Sequence, residues 1–422
     1  MSETLTKSAA RPAPTPLPGV TEAHLKAIFG RRDPAWGKIA RTPFLKSDKL
    51  SDLTGCELFV KYENLQYTGA FKERGALARL LALSDTERQR GVIAASAGNH
   101  AQGLARHAGL LGIRATIVMP RHTPFVKVQQ TEQLGATVLL HGEDFDTADA
   151  FARRKCAEGN LTYVHPFDDP LVIAGQGTVA VEMLEDQPDI DILTVPIGGG
   201  GMLAGMALAA RRIRPDIEII GVQAELYPSM VNALRGTGLP VGGNTLAEGI
   251  AVREPGRLTR RVIDGLADDL LTVDERMLER ALSLYLTVQK TLAEGAGAVG
   301  LAAVLAFPER FAGRKVGTVI CGGNIDTRLL SSILMRDLAR QGRVARLRIE
   351  LLDVPGQLTK VADMIASGGG NVIDVSYHRI FNDLPAKATY LDISVETNDR
   401  PHLDRIIENL RRSGLPTEIA DY

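Results

Sequence analysis

Between Gly91 and Val222 short runs of consecutive apolar residues recur, each followed by a longer amphipathic stretch. Val92 to Ala95, Ala115 to Met119, Thr137 to Leu140, Ile192 to Ile197 and Ile217 to Val222 read as strands. Ala101 to Leu111, Val126 to Leu134, Phe145 to Glu158 and Met202 to Ile213 read as helices. A strand that is apolar on both sides must be covered on both sides, so this alternation specifies a parallel sheet between helices. The pattern falls into two blocks, one before about residue 165 and one after it. Two α/β lobes with a cleft between them are the expected core fold.

The texture changes at Ala345. Ala345, Leu347, Ile349 and Leu351 alternate with Arg346, Arg348 and Glu350, and Leu391, Ile393 and Val395 alternate with Asp392, Ser394 and Glu396. Period two marks a sheet with one solvated face. With helices at Gly356 to Ala366 and Pro401 to Arg412, the order is β-α-β-β-α-β, a ferredoxin-like module. Near the other end, Thr21 to Ile28 reads as a helix capped by Thr21, and Glu57 to Tyr62 as a strand. The expected domains are an N-terminal arm at 1–20, an α/β domain at 21–340 with a small lobe at about 62–165, and the C-terminal module at 345–422. Residues 340–344 are the expected linker.

Composition removes several classes of function. The net charge is −1 with no basic stretch, so nothing points to a nucleic-acid partner. Gly, Pro or charge interrupts every apolar run before a membrane-spanning length, so no membrane association is expected. Met1 to Pro18 is rich in Pro, Ala, Ser and Thr and has no apolar segment of the signal-peptide kind; it reads as a disordered arm. Cys56, Cys156 and Cys321 are odd in number and far apart, which fits a reducing, cytoplasmic setting without disulfides.

Four stretches carry chemistry. Lys72 lies at a loop-to-helix junction in Thr68-Gly69-Ala70-Phe71-Lys72. A lysine is nucleophilic only when desolvated or beside another cation, and Phe71 with the glycines can provide a poorly hydrated pocket. Taken by itself, Lys72 reads more readily as a surface lysine at a helix start. Ser96-Ala97-Gly98-Asn99-His100 follows a buried strand and opens a helix, where backbone N–H groups bind anions. Gly198-Gly199-Gly200-Gly201 is placed likewise; four glycines cost much backbone entropy, which suggests N–H groups converging on a phosphate. Cys321-Gly322-Gly323-Asn324 follows the strand Val316 to Ile320, and strand ends are where sites form in parallel sheets. Glu294-Gly295-Ala296-Gly297-Ala298 is a further small-residue patch, suited to helix packing or to a flat ring lying on backbone. A rival reading remains open here: Gly199, Gly201 and Ala204 fit a dinucleotide fingerprint, with Glu225 about twenty residues on, and would make the chain a nicotinamide-dependent dehydrogenase. His100 and His107 share a helix face, but no third ligand completes a metal set.

A lysine, an anion-binding helix end, a glycine cradle and a strand-end thiol together suit a phosphorylated aldehyde on a flat ring, which describes pyridoxal 5′-phosphate. On these motifs, with Glu63-Asn64-Leu65-Gln66 leading into them, the chain from about Thr21 to its end resembles the threonine dehydratase (threonine ammonia-lyase) family of fold-type II pyridoxal-phosphate enzymes, in the form with one C-terminal ACT domain. The resemblance implies that Lys72 holds the cofactor as a Schiff base and Phe71 packs on its ring. It implies that Asn99 bonds the ring hydroxyl, that Gly198 to Gly201 with Met202 hold the phosphate, and that Cys321 faces the ring nitrogen. Ser96, Ala97, Gly98, Asn99 and His100 would receive the substrate carboxylate. The implied activity is conversion of threonine, and more slowly serine, to a 2-oxo acid and ammonia, with serine or 3-hydroxyaspartate dehydratase or racemase activity as the alternative. Related racemases carry a second serine where this chain has Ala97. Relatives with a divalent-metal site carry carboxylates where this chain has Gln223 and Ser229, so no tight metal site is expected. Asp353-Val354-Pro355-Gly356-Gln357-Leu358 resembles the effector-binding turn of ACT domains. An amino-acid effector such as isoleucine or valine, a place in isoleucine biosynthesis and a homo-oligomer, dimer or tetramer, are the corresponding expectations.

Overall fold

The computed structural model describes residues 17–379 and 384–420, and its compact units divide between Ile325 and Asp326. The arm expected at 1–20 lies, for residues 1–16, outside the described residues. Helix Thr327–Arg340 counts with the C-terminal unit, whereas the sequence reading placed it in the α/β domain. Its contacts run to the strand Val344–Leu352, which explains the difference: the helix is amphipathic and carries no sequence sign of which neighbour it covers.

The first unit holds two sheets. The smaller has four parallel strands in the order Thr137–Leu140, Ala115–Met119, Val92–Ala95 and Thr162–Tyr163. The larger has six, ordered Phe44–Lys46, Glu57–Tyr62, Lys315–Ile320, Ile192–Pro196, Glu218–Ala224 and Asp269–Val273, parallel except for the first pair. The expected parallel strands are thus present, most with ends within a residue or two of the predicted ones. The division into blocks is less simple than a cut near residue 165. Glu57–Tyr62 from before the small lobe pairs in register with Lys315–Ile320 from the end of the unit. This pairing sets the strand ends of Tyr62 and Ile320 side by side, and from them emerge the turns that carry Lys72 and Cys321.

Helices Pro170–Asp186, Gly201–Ile213 and Gly295–Ala306 are buried almost throughout. Small residues allow this. A Cβ added at Gly205 would lie 2.1 Å from the carbonyl oxygen of Ile173, so the first two of these helices meet backbone to backbone. Such closeness gains dispersion contacts that larger side chains would forfeit.

The second unit has the β-α-β-β-α-β order read from the sequence. Its antiparallel sheet runs Asn371–His378, Ala388–Glu396, Val344–Leu352, Thr417–Ile419. Leu347, Ile349, Leu391, Ile393 and Val395 pack with Val361 and Ile365 of helix Gln357–Ser367, and with Leu403, Ile406 and Leu410 of helix Arg400–Arg412. On the other face, Arg348 makes a bidentate pair with Asp392. Among the described residues no helix is long and apolar enough to cross a membrane.

Candidate active site

Lys72 is the first residue of helix Lys72–Leu81. Several bonds hold the turn before it. Phe71 N–H donates to the Cys321 carbonyl at 3.0 Å, Gly323 N–H donates to the Gly69 carbonyl at 2.9 Å, and Ala70 bridges Gly322. Glu73 accepts from Thr68 N–H at 2.5 Å, and its other oxygen meets His107 Nε2 at 2.8 Å. Burial alone would push the Glu73 carboxyl up; His107 and Thr68 outweigh it and hold the group below its usual range.

Behind this turn lies a sealed cluster of four charges. Arg74 grips Glu63 through Nε and Nη2 at 2.8 and 2.7 Å, and Glu182 through Nη1 and Nη2 at 2.8 Å each. Lys61 Nζ donates to Glu182 at 2.7 Å and to the Thr42 carbonyl at 2.7 Å. No member is more than 2 % exposed. Two cations face two anions, so the cluster is neutral, which is what makes burial tolerable. It fastens the start of the Lys72 helix to strand Glu57–Tyr62 and to helix Pro170–Asp186.

The amine of Lys72 donates to the Pro166 carbonyl at 2.8 Å and lies 5.2 Å from the centre of the Phe71 ring. Burial lowers its pKa from 10.5 to about 8, against the opposing fields of Cys321 and Glu294. A fraction of the amine is therefore unprotonated near neutrality, as a nucleophile or base requires. Cys321 is 2 % exposed, and burial first, then Glu294, pushes its thiol well above the usual range. It is a neutral thiol.

The loop Val164–Asp169 joins the lysine to the glycines. His100 Nε2 lies 3.0 Å from the Val164 carbonyl, and its pKa is held down to about 3 by burial and then by Lys72. It is a neutral imidazole, with its other nitrogen, Nδ1, buried and unpaired among the described residues. Phe167 lies over the glycine loop: a Cβ at Gly199 would come within 2.3 Å of its ring, and one at Gly201 within 2.9 Å of its Cβ. Gly200 has φ +95°, a left-handed conformation that favours glycine. The Gly199 carbonyl is turned away, accepting from Thr259 Oγ1 at 2.6 Å and Gly256 N–H at 3.1 Å. The N–H groups of Gly198 to Gly201 make no backbone hydrogen bond among the described residues. They stand at the N-terminus of helix Gly201–Ile213, whose second residue is the buried Met202. That is a cradle of donors for an anion.

At Ser96 to His100 the outcome is mixed. Ser96 N–H is taken by the Val118 carbonyl at 3.1 Å, and Ser96 Oγ accepts from Gly98 N–H at 3.3 Å, so its backbone donor is spent while the hydroxyl keeps its own hydrogen to donate. Ala97 packs on the small-lobe core. The N–H groups of Ala97, Asn99 and His100 make no backbone bond among the described residues and open helix Asn99–Leu110. Asn99 donates from Nδ2 to Glu294 and accepts from Asn324, each at 2.8 Å.

The structure thus gathers Phe71, Lys72, Asn99 and Cys321 around one point, with the tetraglycine loop joined to it through Pro166 and Phe167. Three contributors were missed in the sequence: Pro166, Phe167 and the carboxyl of Glu294. The last had a signal, as the one charge in a run of alanine and glycine. Gln223, at the place considered for a metal, spends its amide on Tyr227 O, Met230 N and Val231 N, each at 3.0 Å. Glu225, the partner required by the dinucleotide reading, is exposed past the end of strand Glu218–Ala224.

These residues fit pyridoxal phosphate: a depressed amine for the aldehyde, a donor cradle for the phosphate, an amide and a thiol for the ring. In the C-terminal unit, Gly356 takes φ +90° at the head of helix Gln357–Ser367, and Asp353 pairs with Arg379 at 3.1 Å.

Comparison with known proteins bears on both units. Residues 35–322 match the family described as pyridoxal-phosphate dependent enzyme, and residues 340–414 match the ACT domain. The chain is 43% identical over 384 residues to an L-threonine ammonia-lyase of Thermotoga maritima, covering 90% of this chain and 96% of that protein. Among solved structures it is similar to the processed form of threonine deaminase isoform 2 from Solanum lycopersicum, with TM-score 0.69, 32% identity, and coverage of 77% of this chain and 96% of that one. It is similar too to maize serine racemase, with TM-score 0.69, 33% identity, and coverage of 76% and 98%.

Proposed function

The chain belongs to the pyridoxal-phosphate dependent enzyme family and carries an ACT domain, and from that premise we propose that it is an L-threonine ammonia-lyase, with serine as a slower substrate. The observation that carries this reading is a lysine amine depressed to about 8, held between the Cys321 turn and the loop that covers the tetraglycine cradle.

Lys72 would hold the cofactor by its aldehyde, Gly198 to Gly201 and Met202 would hold its phosphate, Phe71 would pack on its ring and Asn99 would bond its ring hydroxyl. When bound, pyridoxal phosphate supplies an electron sink that makes the substrate α-proton removable. The N–H groups of Ala97, Asn99 and His100, at a helix N-terminus, receive the substrate carboxylate. The Lys72 amine, depressed by burial to about 8, would be the general base for the α-proton. Cys321, a neutral thiol, would stand at the ring nitrogen; it is too weak an acid to keep that nitrogen protonated, which would favour elimination over transamination. The net reaction would convert threonine to 2-oxobutanoate and ammonia, or serine to pyruvate and ammonia, one water being lost and one regained.

Ala97 presents only a methyl group where related racemases carry a serine, so this position offers the opposite face of the substrate no acid or base, and racemisation is disfavoured. The turn Asp353 to Leu358 is the proposed seat of an amino-acid effector, isoleucine or valine, in a homo-oligomer. Three cysteines, all free, fit a cytoplasmic enzyme.

The test is production of 2-oxobutanoate from threonine by wild type and Lys72→Ala, with and without branched-chain amino acids. Wild type should be yellow, and borohydride should fix the cofactor on Lys72; Lys72→Ala should keep the fold and lose activity. A colourless wild type that gains nothing from added pyridoxal phosphate would refute the reading.

A further inference from the structure

The carboxyl of Glu294 has no task in the chemistry above. It is 9 % exposed and caps no helix, although Glu294 is the N-cap residue of helix Gly295–Ala306. It crosses instead to Asn99 Nδ2, at 2.8 Å. The backbone shapes itself to allow this: a Cβ at Gly322 would lie 2.6 Å from Glu294 Oε1. Asn324 Nδ2 donates to Asn99 Oδ1 at 2.8 Å and to the Thr68 carbonyl at 2.8 Å. An asparagine amide can be turned either way, and its partners decide which. The Thr68 carbonyl only accepts, which fixes Asn324 Nδ2 as the donor to Asn99 Oδ1 and leaves Asn99 Nδ2 to donate to Glu294 in either protonation state. Glu294 and Asn324 therefore permit one orientation of Asn99, oxygen toward Asn324 and nitrogen toward Glu294. The second hydrogen on Asn99 Nδ2 remains for one more acceptor.

We propose that Glu294 is a positioning residue that holds Asn99 Nδ2 toward the ring oxygen of the bound cofactor, and so sets the cofactor's electronic state and the tightness of its binding. The inference rests on the pyridoxal-phosphate reading of the site. The charged and titratable groups facing Glu294 are Lys72, Cys321, Lys127 and Glu248. Burial raises its carboxyl to about 7, against Asn99, Lys127 and Lys72. As pH rises through that value the carboxyl ionises and grips Asn99 more firmly, so the cofactor responds to pH through Asn99.

The experiment follows the absorption spectrum and dissociation constant of pyridoxal phosphate across neutral pH in wild type, Glu294→Gln, Glu294→Ala and Asn99→Ala. The wild-type spectrum should change with pH as Glu294 ionises. Glu294→Gln keeps an acceptor for Asn99 and should hold affinity within about threefold while losing the titration. Glu294→Ala should lose the titration and about tenfold in affinity, the share of one hydrogen bond to a charged group. Combined with Asn99→Ala it should add nothing, since the two act as a unit. A Glu294→Gln protein with the wild-type titration, or a Glu294→Ala protein of wild-type affinity, would overturn the proposal. Should Glu294→Ala not fold, the nearly isosteric glutamine variant decides by its spectrum. A wild type that takes up no pyridoxal phosphate overturns the functional reading itself, and is told apart because the unsubstituted protein fails.

Discussion

Lys72→Met should stabilise the protein stripped of its cofactor. The unfolded chain keeps this amine protonated up to 10.5, the folded chain only up to about 8. Below pH 8 both states carry the proton and the folded state bears the full penalty of a buried charge. Between those values the unfolded state binds more protons, so wild-type stability rises with pH. The drop from 10.5 to about 8 corresponds to about 3.4 kcal/mol at about 1.36 kcal/mol per tenfold change in proton affinity. Lys72 is only partly buried, and solvent screening reduces the figure to about 2–3 kcal/mol. Methionine also forfeits the bond to the Pro166 carbonyl, worth about 1 kcal/mol. The net expectation at pH 7 is a gain of about 1–2 kcal/mol, shrinking to nothing and reversing as pH passes about 10. Urea unfolding of the two cofactor-free proteins over this range reads it as a shift in midpoint at constant slope. If Lys72→Met were no more stable at pH 7, or if the two stabilities ran parallel in pH, the amine would not be desolvated and its proposed role would lose its physical basis.

Two further substitutions test the frame. Glu182→Ala leaves Lys61 and Arg74 facing Glu63 alone, and should cost about 3–5 kcal/mol in urea unfolding; replacing Lys61 and Glu182 together by methionine keeps the cluster neutral and should cost far less. Gly199→Ala sets a methyl group against the Phe167 ring and should weaken pyridoxal phosphate binding by about 5- to 150-fold, from about 1–3 kcal/mol of overpacking, read by absorbance titration.

The strands were legible because each is an uninterrupted apolar run between helix-forming stretches, a pattern that only a doubly covered sheet satisfies. The C-terminal unit was legible for the opposite reason, since Ala345 to Leu351 alternates strictly. The tetraglycine loop could be seen because glycine quartets are costly and need a cause. What could not be seen was pairing at a distance. Nothing in Glu57 to Tyr62 says that its neighbour is Lys315 to Ile320. Pro166 and Phe167 sit in an ordinary-looking loop, and their place beside Lys72 and Gly199 arises only from packing. Glu294 was read for its small neighbours because its partner, Asn99, is 195 residues away. Ser96 was credited with an open N–H that the sheet in fact uses, because a residue just past a strand can still be donating to it.

The site holds groups that resist burial, and the fold offsets them close by. Lys72 is pushed toward neutrality, and Glu294 is pushed toward protonation with no full countercharge. Left to relax, the turn before Lys72 would swing the amine into water, where its pKa would recover. Two devices oppose that. The bonds from Phe71 to Cys321 and from Gly323 to Gly69 pin the turn to the end of the central sheet. Arg74, two residues beyond Lys72, is held bidentately by two glutamates from separate elements. Freeing the amine would require breaking charge-assisted bonds in a sealed interior, at about 3–5 kcal/mol, which is comparable with or larger than the relief gained. The depressed amine therefore follows from the neutral cluster behind it, which explains why so many charges are buried where no substrate reaches.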